Sequence, residues 1–329
     1  MKSLPSHQYT QAVAAVESEN VSLGEKIEML MEIAMGLQQR PKSAQQLLDA
    51  VNLYNRALEL CPEEAILFKA RLQARKATAL QMIPSEEAHF LMDAQKELEV
   101  SLPVFEESNK QDLPGAATKE EIAEVQMNLG LVLQSLAGFH KAKITDAIFW
   151  YQRALRVFTK EAYPAEYAIL HNNLATAYLS IPFSDEKAKM REALAVQSFE
   201  AALEVVTIED MPSEYAMLQN NLGNALQYVS SSHAVENNLR ALTAYDEALR
   251  VREFRTAPLA YANTIANKAN CLRNLPDDPE NPQAGNSKRL AEAAKLLKEA
   301  QVIFKANGEF GKAQSVAQTI LELEEAGIN

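Results

Sequence analysis

Two long blocks of similar sequence, 48 residues apart, constrain the fold of this chain more than any other feature. The first block, EYAILHNNLATAYL, occupies residues 166–179, and the second, EYAMLQNNLGNALQ, occupies residues 214–227. Each block leads into a segment in which an aromatic residue stands between two alanines. A repeat of this length predicts an array of similar units that stack on their neighbours, rather than one compact globule.

The segments that follow the blocks share a pattern of small and large residues. An alanine is followed four positions later by an aromatic residue and three positions after that by a second alanine. Small residues at this spacing let two antiparallel helices approach closely, while the ring fills the groove beside them. The pattern therefore predicts six helices, each the second of a pair. Its occurrences, some with the aromatic residue or an alanine replaced, are Ala50/Tyr54/Ala57, Ala94/Leu98/Ser101, Ala147/Tyr151/Ala154, Ala195/Phe199/Ala202, Ala241/Tyr245/Ala248 and Ala293/Leu297/Ala300.

Four of the predicted first helices share an asparagine that is followed two residues later by glycine or alanine. Glycine inside a helix costs about 1 kcal/mol relative to alanine, so its recurrence predicts close packing against the second helix. In the first pair we expect Met35 and Gly36 to fill this slot, and the second pair has no clear glycine. The four pairs of residues are Asn128/Gly130, Asn173/Ala175, Asn221/Gly223 and Asn267/Ala269.

These blocks resemble the tetratricopeptide repeat family over roughly residues 24–323. The sequences HNNLATAY and QNNLGNALQ are similar to the longer-period branch found in kinesin light chains and in many bacterial repeat proteins. The resemblance implies an all-α fold, a right-handed α-solenoid of about six antiparallel helix pairs with a C-terminal capping helix. The predicted organisation is an N-terminal arm (1–20), N-terminal helix pairs (21–105), a flexible joint (106–121), further repeats (122–309) and the capping helix (310–329).

The resemblance also implies a concave groove, lined by the first helices, that receives an extended peptide or a partner helix. Amide side chains suit recognition of a peptide backbone because each carries two donor hydrogens and an acceptor. The same asparagines could instead form hydrogen bonds between helices and lock neighbouring repeats, and the sequence leaves both roles open. The predicted partner-binding residues are Asn172, Asn173, Thr176, Asn220, Asn221, Asn224, Gln227, Asn267, Asn270 and Arg273.

Recognition of an acidic C-terminus, a specialisation of this family, requires Lys and Arg beside the asparagines. Only Lys268 and Arg273 come close to that arrangement, so we disfavour it. The chain also lacks a glycine-rich phosphate loop, a Gly-x-Ser-x-Gly elbow and histidines or cysteines at metal-ligand spacing. We therefore expect no catalytic residue, no metal and no cofactor. The leading hypothesis is a non-catalytic scaffold, adaptor or assembly factor, and the alternative is a regulatory sensor that binds a small-molecule or peptide signal inside the superhelix.

The net charge of −12 opposes binding to nucleic acid and favours a neutral or basic protein or peptide partner. No run of about 18 apolar residues predicts a membrane-inserted segment. The polar N-terminus lacks the apolar core of a signal peptide. The two cysteines, Cys61 and Cys271, lie among apolar residues, which predicts buried free thiols. A cytoplasmic location is the simplest expectation, and the oligomeric state is left open.

Overall fold

The computed structural model describes residues 6–111, 113–181, 188–229, 233–281, 283 and 285–325. These residues form fourteen α-helices and, within those ranges, no strand, which confirms the prediction of an all-α fold. In chain order the helices are α1 (His7–Ser18), α2 (Leu23–Gln39), α3 (Ala44–Leu60), α4 (Ile66–Gln81), α5 (His89–Lys110), α6 (Lys119–Gly138), α7 (Ile144–Ala154), α8 (Pro164–Leu179), α9 (Ala188–Leu203), α10 (Pro212–Tyr228), α11 (Ala234–Leu249), α12 (Pro258–Arg273), α13 (Ser287–Ala306) and α14 (Phe310–Glu325).

The chain divides into two compact units, one that ends at Thr159 and one that begins at Lys160. The first unit holds α1 and three helix pairs, α2/α3, α4/α5 and α6/α7. The second unit holds the pairs α8/α9, α10/α11 and α12/α13, followed by α14, which packs on α13. The predicted six helix pairs of an α-solenoid and the C-terminal capping helix are thereby confirmed. Below, α2, α4, α6, α8, α10 and α12 are called first helices and their partners second helices.

Short local signals start several of these helices. The hydroxyl of Ser22 accepts from the Glu25 backbone N–H, and the Glu25 carboxylate accepts from the Ser22 backbone N–H, so the two residues form a capping box at the start of α2. Thr118 and Glu121 form the same arrangement at the start of α6. Ser43 lies at the N-cap of α3, but its side chain makes no capping hydrogen bond. In α8, α10 and α12 a proline stands in the first turn, where its missing N–H has no helical partner to lose.

The alternating small and large residues of the second helices form the centre of each pair. Tyr54, Tyr151, Phe199 and Tyr245 are completely buried, and so are the alanines on both sides of each ring. The positions that lack a ring, Leu98 and Leu297, are buried as well. The core of each unit therefore lies along the contact between the first and second helices, as the spacing predicted.

Each first helix carries a small residue at the same register, and in α6 and α10 this residue is a glycine that lies against the buried ring of the second helix. A Cβ built on Gly130 would lie 2.4 Å from Tyr151 Cε1, and one built on Gly223 would lie 2.6 Å from Tyr245 Cε1. We call this the small position; it is completely buried in the four alanine cases and buried in the two glycine cases. Seven residues before each small position stands another buried apolar residue, which fixes the register of the six helices. The small positions are Ala34, Ala77, Gly130, Ala175, Gly223 and Ala269.

The expectation that Met35 and Gly36 fill this slot in the first pair is wrong. Gly36 is exposed, and a Cβ built there would meet nothing within 4 Å. Ala34, two residues earlier, is completely buried and takes the small position. The physical requirement is a small side chain rather than glycine itself, so alanine fills the slot in α2 and also in α4, at Ala77.

The predicted N-terminal arm and the predicted joint both contain helical residues where the structure describes them. Within the predicted arm, α1 buries Val16, and the Ser6 hydroxyl donates to Asp49 Oδ2 at 2.6 Å. The predicted joint, 106–121, contains the end of α5 and the start of α6, and Asn109 Nδ2 donates to the Ala117 carbonyl at 2.6 Å. That the joint is flexible stays a prediction. Among the described residues, no helix combines the length and the apolar character that crossing a bilayer requires.

Candidate binding site

A chain of asparagine side chains runs across three first helices of the second unit. Asn267 Nδ2 on α12 donates to Asn220 Oδ1 on α10 at 3.2 Å, and Asn220 Nδ2 donates to Asn221 Oδ1 at 3.4 Å. Asn221 Nδ2 then donates to Asn172 Oδ1 on α8 at 3.5 Å, and Asn172 Nδ2 donates to Asn173 Oδ1 at 3.3 Å. We call these five residues the amide ladder. All five were predicted as partner-binding residues.

The amide ladder can serve both of the roles that the sequence left open, which are to lock neighbouring repeats and to bind a peptide backbone. Two of its bonds join different helices and so hold neighbouring repeats in register. Each inner asparagine of the ladder uses one donor hydrogen and one acceptor lone pair, which leaves one of each unused among the described residues. The last donor, Asn173 Nδ2, is buried and has no hydrogen-bond partner in the part of the chain that the structure describes.

The buried tyrosines of the second helices anchor a second set of amide groups. The Tyr245 hydroxyl contacts Asn224 Oδ1 at 2.8 Å and Gln227 Oε1 at 3.1 Å, so two further predicted residues are held in place. Tyr151 donates to Gln134 Oε1 at 2.8 Å in the same way. Gln134 and Gln227 both stand four residues after a small position, because that offset lies one helical turn along the same face.

The first pair repeats this hydrogen bond, and the second pair lacks it. Tyr54 donates to Gln38 Oε1 at 3.2 Å, and burial raises the pKa of Tyr54 to about 12, so its hydroxyl keeps the proton that it donates. In the second pair the buried residue is Leu98, which has no hydroxyl. Gln81 stands at the corresponding position of α4, and its Oε1 is buried with no partner among the described residues.

Three of the predicted residues meet in a cavity of about 620 Å³ near the C-terminal end of the second unit. Gln227 from α10 and Asn270 and Arg273 from α12 line one side of it, and Thr319 and Glu322 from α14 line the other. Arg273 Nη2 contacts Glu322 Oε2 at 3.2 Å. Asn270 is half-buried and has no hydrogen-bond partner among the described residues. The cavity thus presents an amide that is available to another molecule.

Two predicted features are used within the second unit itself. The Thr176 hydroxyl donates to the Asn173 backbone carbonyl at 2.9 Å, within its own helix. Lys268 forms an ion pair with Asp246 at 2.6 Å, and Arg273 forms an ion pair with Glu322 at 3.2 Å. Both cations that came closest to an acidic-terminus site therefore already have carboxylate partners.

His171 lies beside the amide ladder on α8. Its ring centroid is 4.3 Å from that of Tyr167, and its Nδ1 is buried without a partner among the described residues. Burial lowers the pKa of His171 below its usual value, while the charge of Glu204 opposes that shift. The imidazole is therefore neutral at pH 7. In α10 the corresponding position is Gln219, and in α6 it is Gln126.

Sequence reasoning missed the contribution of α14 to this site. Thr319 and Glu322 lie on a helix that was expected only to cover the last repeat, yet they line the cavity. The buried residues of α14, Ala313, Val316, Ile320 and Leu323, follow the register of a first helix. That spacing was the available signal. Among the described residues, no group of three or more His, Cys, Asp and Glu side chains is arranged to hold a metal ion.

Comparisons with known proteins find a similar fold but identify no family for this chain. No protein-family model matches the chain, and no curated protein matches it. The crystal structure of BtubC (BKLC) from P. vanneervenii is similar in fold, with a TM-score of 0.51 and 18% identity over 74% of this chain and 88% of that one. A Rap protein complexed with competence and sporulation factor aligns with a TM-score of 0.43 and 13% identity, over 96% and 80% of the two chains. The chain is an α-helical repeat protein.

Proposed function

We propose that this chain is a non-catalytic scaffold of the long-period tetratricopeptide type, and that the first helices of its second unit bind an extended peptide or a partner helix. One observation carries the proposal. Five asparagine side chains on α8, α10 and α12 form a continuous hydrogen-bonded row whose unused donors and acceptors match those of a peptide backbone. Asparagine is a poor residue for a helix interior, so its repetition there needs a reason of this kind.

The spacing of the helices suits an extended chain. Packed helices lie about 8–10 Å apart, and an extended chain advances about 3.3 Å per residue. A bound peptide would therefore meet a new row of amides roughly every third residue. Asn270, Arg273 and Gln227 would hold one end of the peptide in the cavity beside α14. The acidic chain, with a net charge of −12, favours a neutral or basic partner.

A library of random displayed peptides provides a ligand for the test without knowledge of the natural partner. Peptides selected on the full chain are titrated by calorimetry against the chain itself and against Asn270→Ala. Asn270 makes no hydrogen bond among the described residues, so its removal leaves the packing intact. We expect an affinity loss of about fivefold to tenfold, which corresponds to about one lost hydrogen bond.

Asn52→Ala, on the second helix α3 of the other unit, is the matched control and should bind like the unchanged chain. If both variants bound every selected peptide with equal affinity, the surface around Asn270 and the amide ladder would not be the peptide-binding site.

The cavity volume favours one alternative. About 620 Å³ lies within the range of small-molecule sites, which is roughly 300–1,000 Å³. A regulatory sensor that binds a small molecule or a short peptide signal there would use the same three residues, Gln227, Asn270 and Arg273. Thermal shifts with cell-extract fractions separated by mass distinguish the two functions: a shift by small-molecule fractions alone would favour the sensor.

A further inference from the structure

The first unit contains a groove that is separate from the amide ladder of the second unit. Two adjoining cavities, of about 60 and 280 Å³, lie between α2, α4 and α6. They share three lining residues, Arg75, Thr78 and Glu124. The larger cavity is bordered by Met35, Met82 and Tyr54, so its wall there is largely apolar.

Asn128, on the wall of the smaller cavity, corresponds in register to the ladder residues Asn173, Asn221 and Asn267. Each of these lies two residues before a small position. In the first unit the ladder is interrupted, because Ala74 on α4 and Met127 on α6 replace the amides that would flank Asn128. Asn128 is only 7% exposed and has no hydrogen-bond partner in the described part of the chain. Ala74 also lines the cavity, so the loss of an amide there opens the space that Asn128 faces.

The charges around Asn128 divide into a satisfied pair and an unsatisfied pair. Arg71 holds Glu121 with two hydrogen bonds, of 2.7 and 3.1 Å. Arg75 is exposed and donates to the Met35 sulfur at 3.1 Å, but no carboxylate of the described residues forms an ion pair with it. Glu124 is likewise exposed and without an ion-pair partner in that part of the chain. An exposed cation and an exposed anion, neither of them in an ion pair among the described residues, therefore line the same groove as the Asn128 amide.

We propose that this groove binds a small zwitterion, an α-amino acid with an apolar side chain. Its carboxylate would accept from Arg75 and from Asn128 Nδ2. Its ammonium group would donate to Glu124 and to Asn128 Oδ1, so the asparagine amide, which is both donor and acceptor, serves both ends. The apolar side chain would lie against Met35 and Met82. A phosphate dianion fits poorly, because Glu124 would repel it.

The test follows the methyl carbon of Met35 by NMR of the full chain labelled with ¹³C-methyl methionine. The probes are L-leucine, 4-methylpentanoate, which lacks the amine, and 3-methylbutylamine, which lacks the carboxylate. We expect leucine to shift the Met35 and Met82 signals in a saturable manner, with at least tenfold weaker binding of the other two probes. The Met92 signal, from an exposed residue of α5, should not move.

Variants assign the two charges separately. Arg75→Gln and Glu124→Gln should each weaken leucine binding at least tenfold, because the two residues hold opposite ends of the ligand. The controls, Arg56→Gln and Glu63→Gln, alter charges that do not line the groove, and both variants should bind leucine like the unchanged chain. The zwitterion proposal would be overturned if 4-methylpentanoate bound as tightly as leucine, or if Glu124→Gln bound leucine more tightly than the unchanged chain. It would also be overturned if leucine caused no shift of the Met35 signal. None of these outcomes bears on peptide binding by the second unit.

Discussion

The glycines at two small positions give the sharpest constraint at the scale of single residues. The rings that face Gly130 and Gly223 are completely buried, and the hydroxyl groups of Tyr151 and Tyr245 are held by amide oxygens. Neither ring can move aside without losing that hydrogen bond. In the pairs that contain Phe199 and Leu297 the small position is alanine, and it is also alanine in the first pair, where Tyr54 donates to Gln38.

We expect Gly223→Ala to destabilise the chain by about 1–3 kcal/mol, because its Cβ would lie 2.6 Å from the Tyr245 ring. The control is Gly36→Ala, in open space on α2, which should stabilise by about 0.5–1 kcal/mol through helix propensity alone. Urea unfolding followed by circular dichroism measures both. Equal effects of the two substitutions would refute the packing role assigned to Gly223.

The orphaned acceptor of Gln81 gives a prediction of the opposite sign. Gln81→Leu should stabilise the chain by about 1 kcal/mol, because it removes a buried oxygen that has no partner. The same change at Gln134 should destabilise by a similar amount, because Tyr151 would lose its acceptor at 2.8 Å. The measurement is again the shift in the urea midpoint. Destabilisation by Gln81→Leu would show that this oxygen is satisfied in solution.

The buried imidazole of His171 makes stability depend on pH. Its pKa is lowered in the folded chain, so the unfolded chain takes up a proton first as the pH falls through about 6.5. The contribution of the neutral ring is present above that pH and is lost progressively below it. We expect the free energy of unfolding to fall less steeply between pH 7 and pH 5 in His171→Gln than in the unchanged chain. Identical slopes would show that His171 is not buried.

At the scale of helices, the amide ladder couples α8, α10 and α12 through side chains rather than backbone. The bond between Asn267 and Asn220, at 3.2 Å, is the shorter of its two inter-helix contacts. A double-mutant cycle with Asn220→Ala and Asn267→Ala should give a coupling of about 0.5–1 kcal/mol in urea unfolding. The control pair, Asn52→Ala with Asn267→Ala, lies in different units and should be additive. If the effects of Asn220→Ala and Asn267→Ala on the free energy of unfolding were additive, the ladder would not lock neighbouring repeats together.

Much of this arrangement was predictable because spacing along a helix determines which side chains share a face. Sequence periodicity predicted the six pairs, the buried rings and the columns that contain Asn173, Asn221 and Asn267. It could not predict the direction in which each amide points, since that depends on rotamers and on distances between helices. The search for glycine selected Gly36 rather than Ala34, because the packing requires only a small side chain. The spacing of the buried residues of α14 indicated that this helix packs like a first helix, but the cavity was missed because spacing alone does not show which side chains of neighbouring helices will face each other.

At the scale of the whole molecule, the two units offer different chemistry on equivalent helices. The second unit carries a continuous row of amides, whereas the first replaces two of those amides with Ala74 and Met127 and carries Arg71 and Arg75 instead. We propose that the amide ladder and the neighbouring Asn270 together form the peptide-binding face of the second unit. The proposed face lies on first helices, so a cross-linker on a second helix of the same unit provides the comparison.

Photo-crosslinking tests that claim most directly. A benzophenone amino acid is placed at Asn270 on α12 or at Thr243, an exposed position on the second helix α11. Each form is irradiated with a peptide selected on the unchanged chain. The account predicts at least tenfold more cross-linked product from position 270 than from position 243. Equal yields, or a higher yield at position 243, would contradict it.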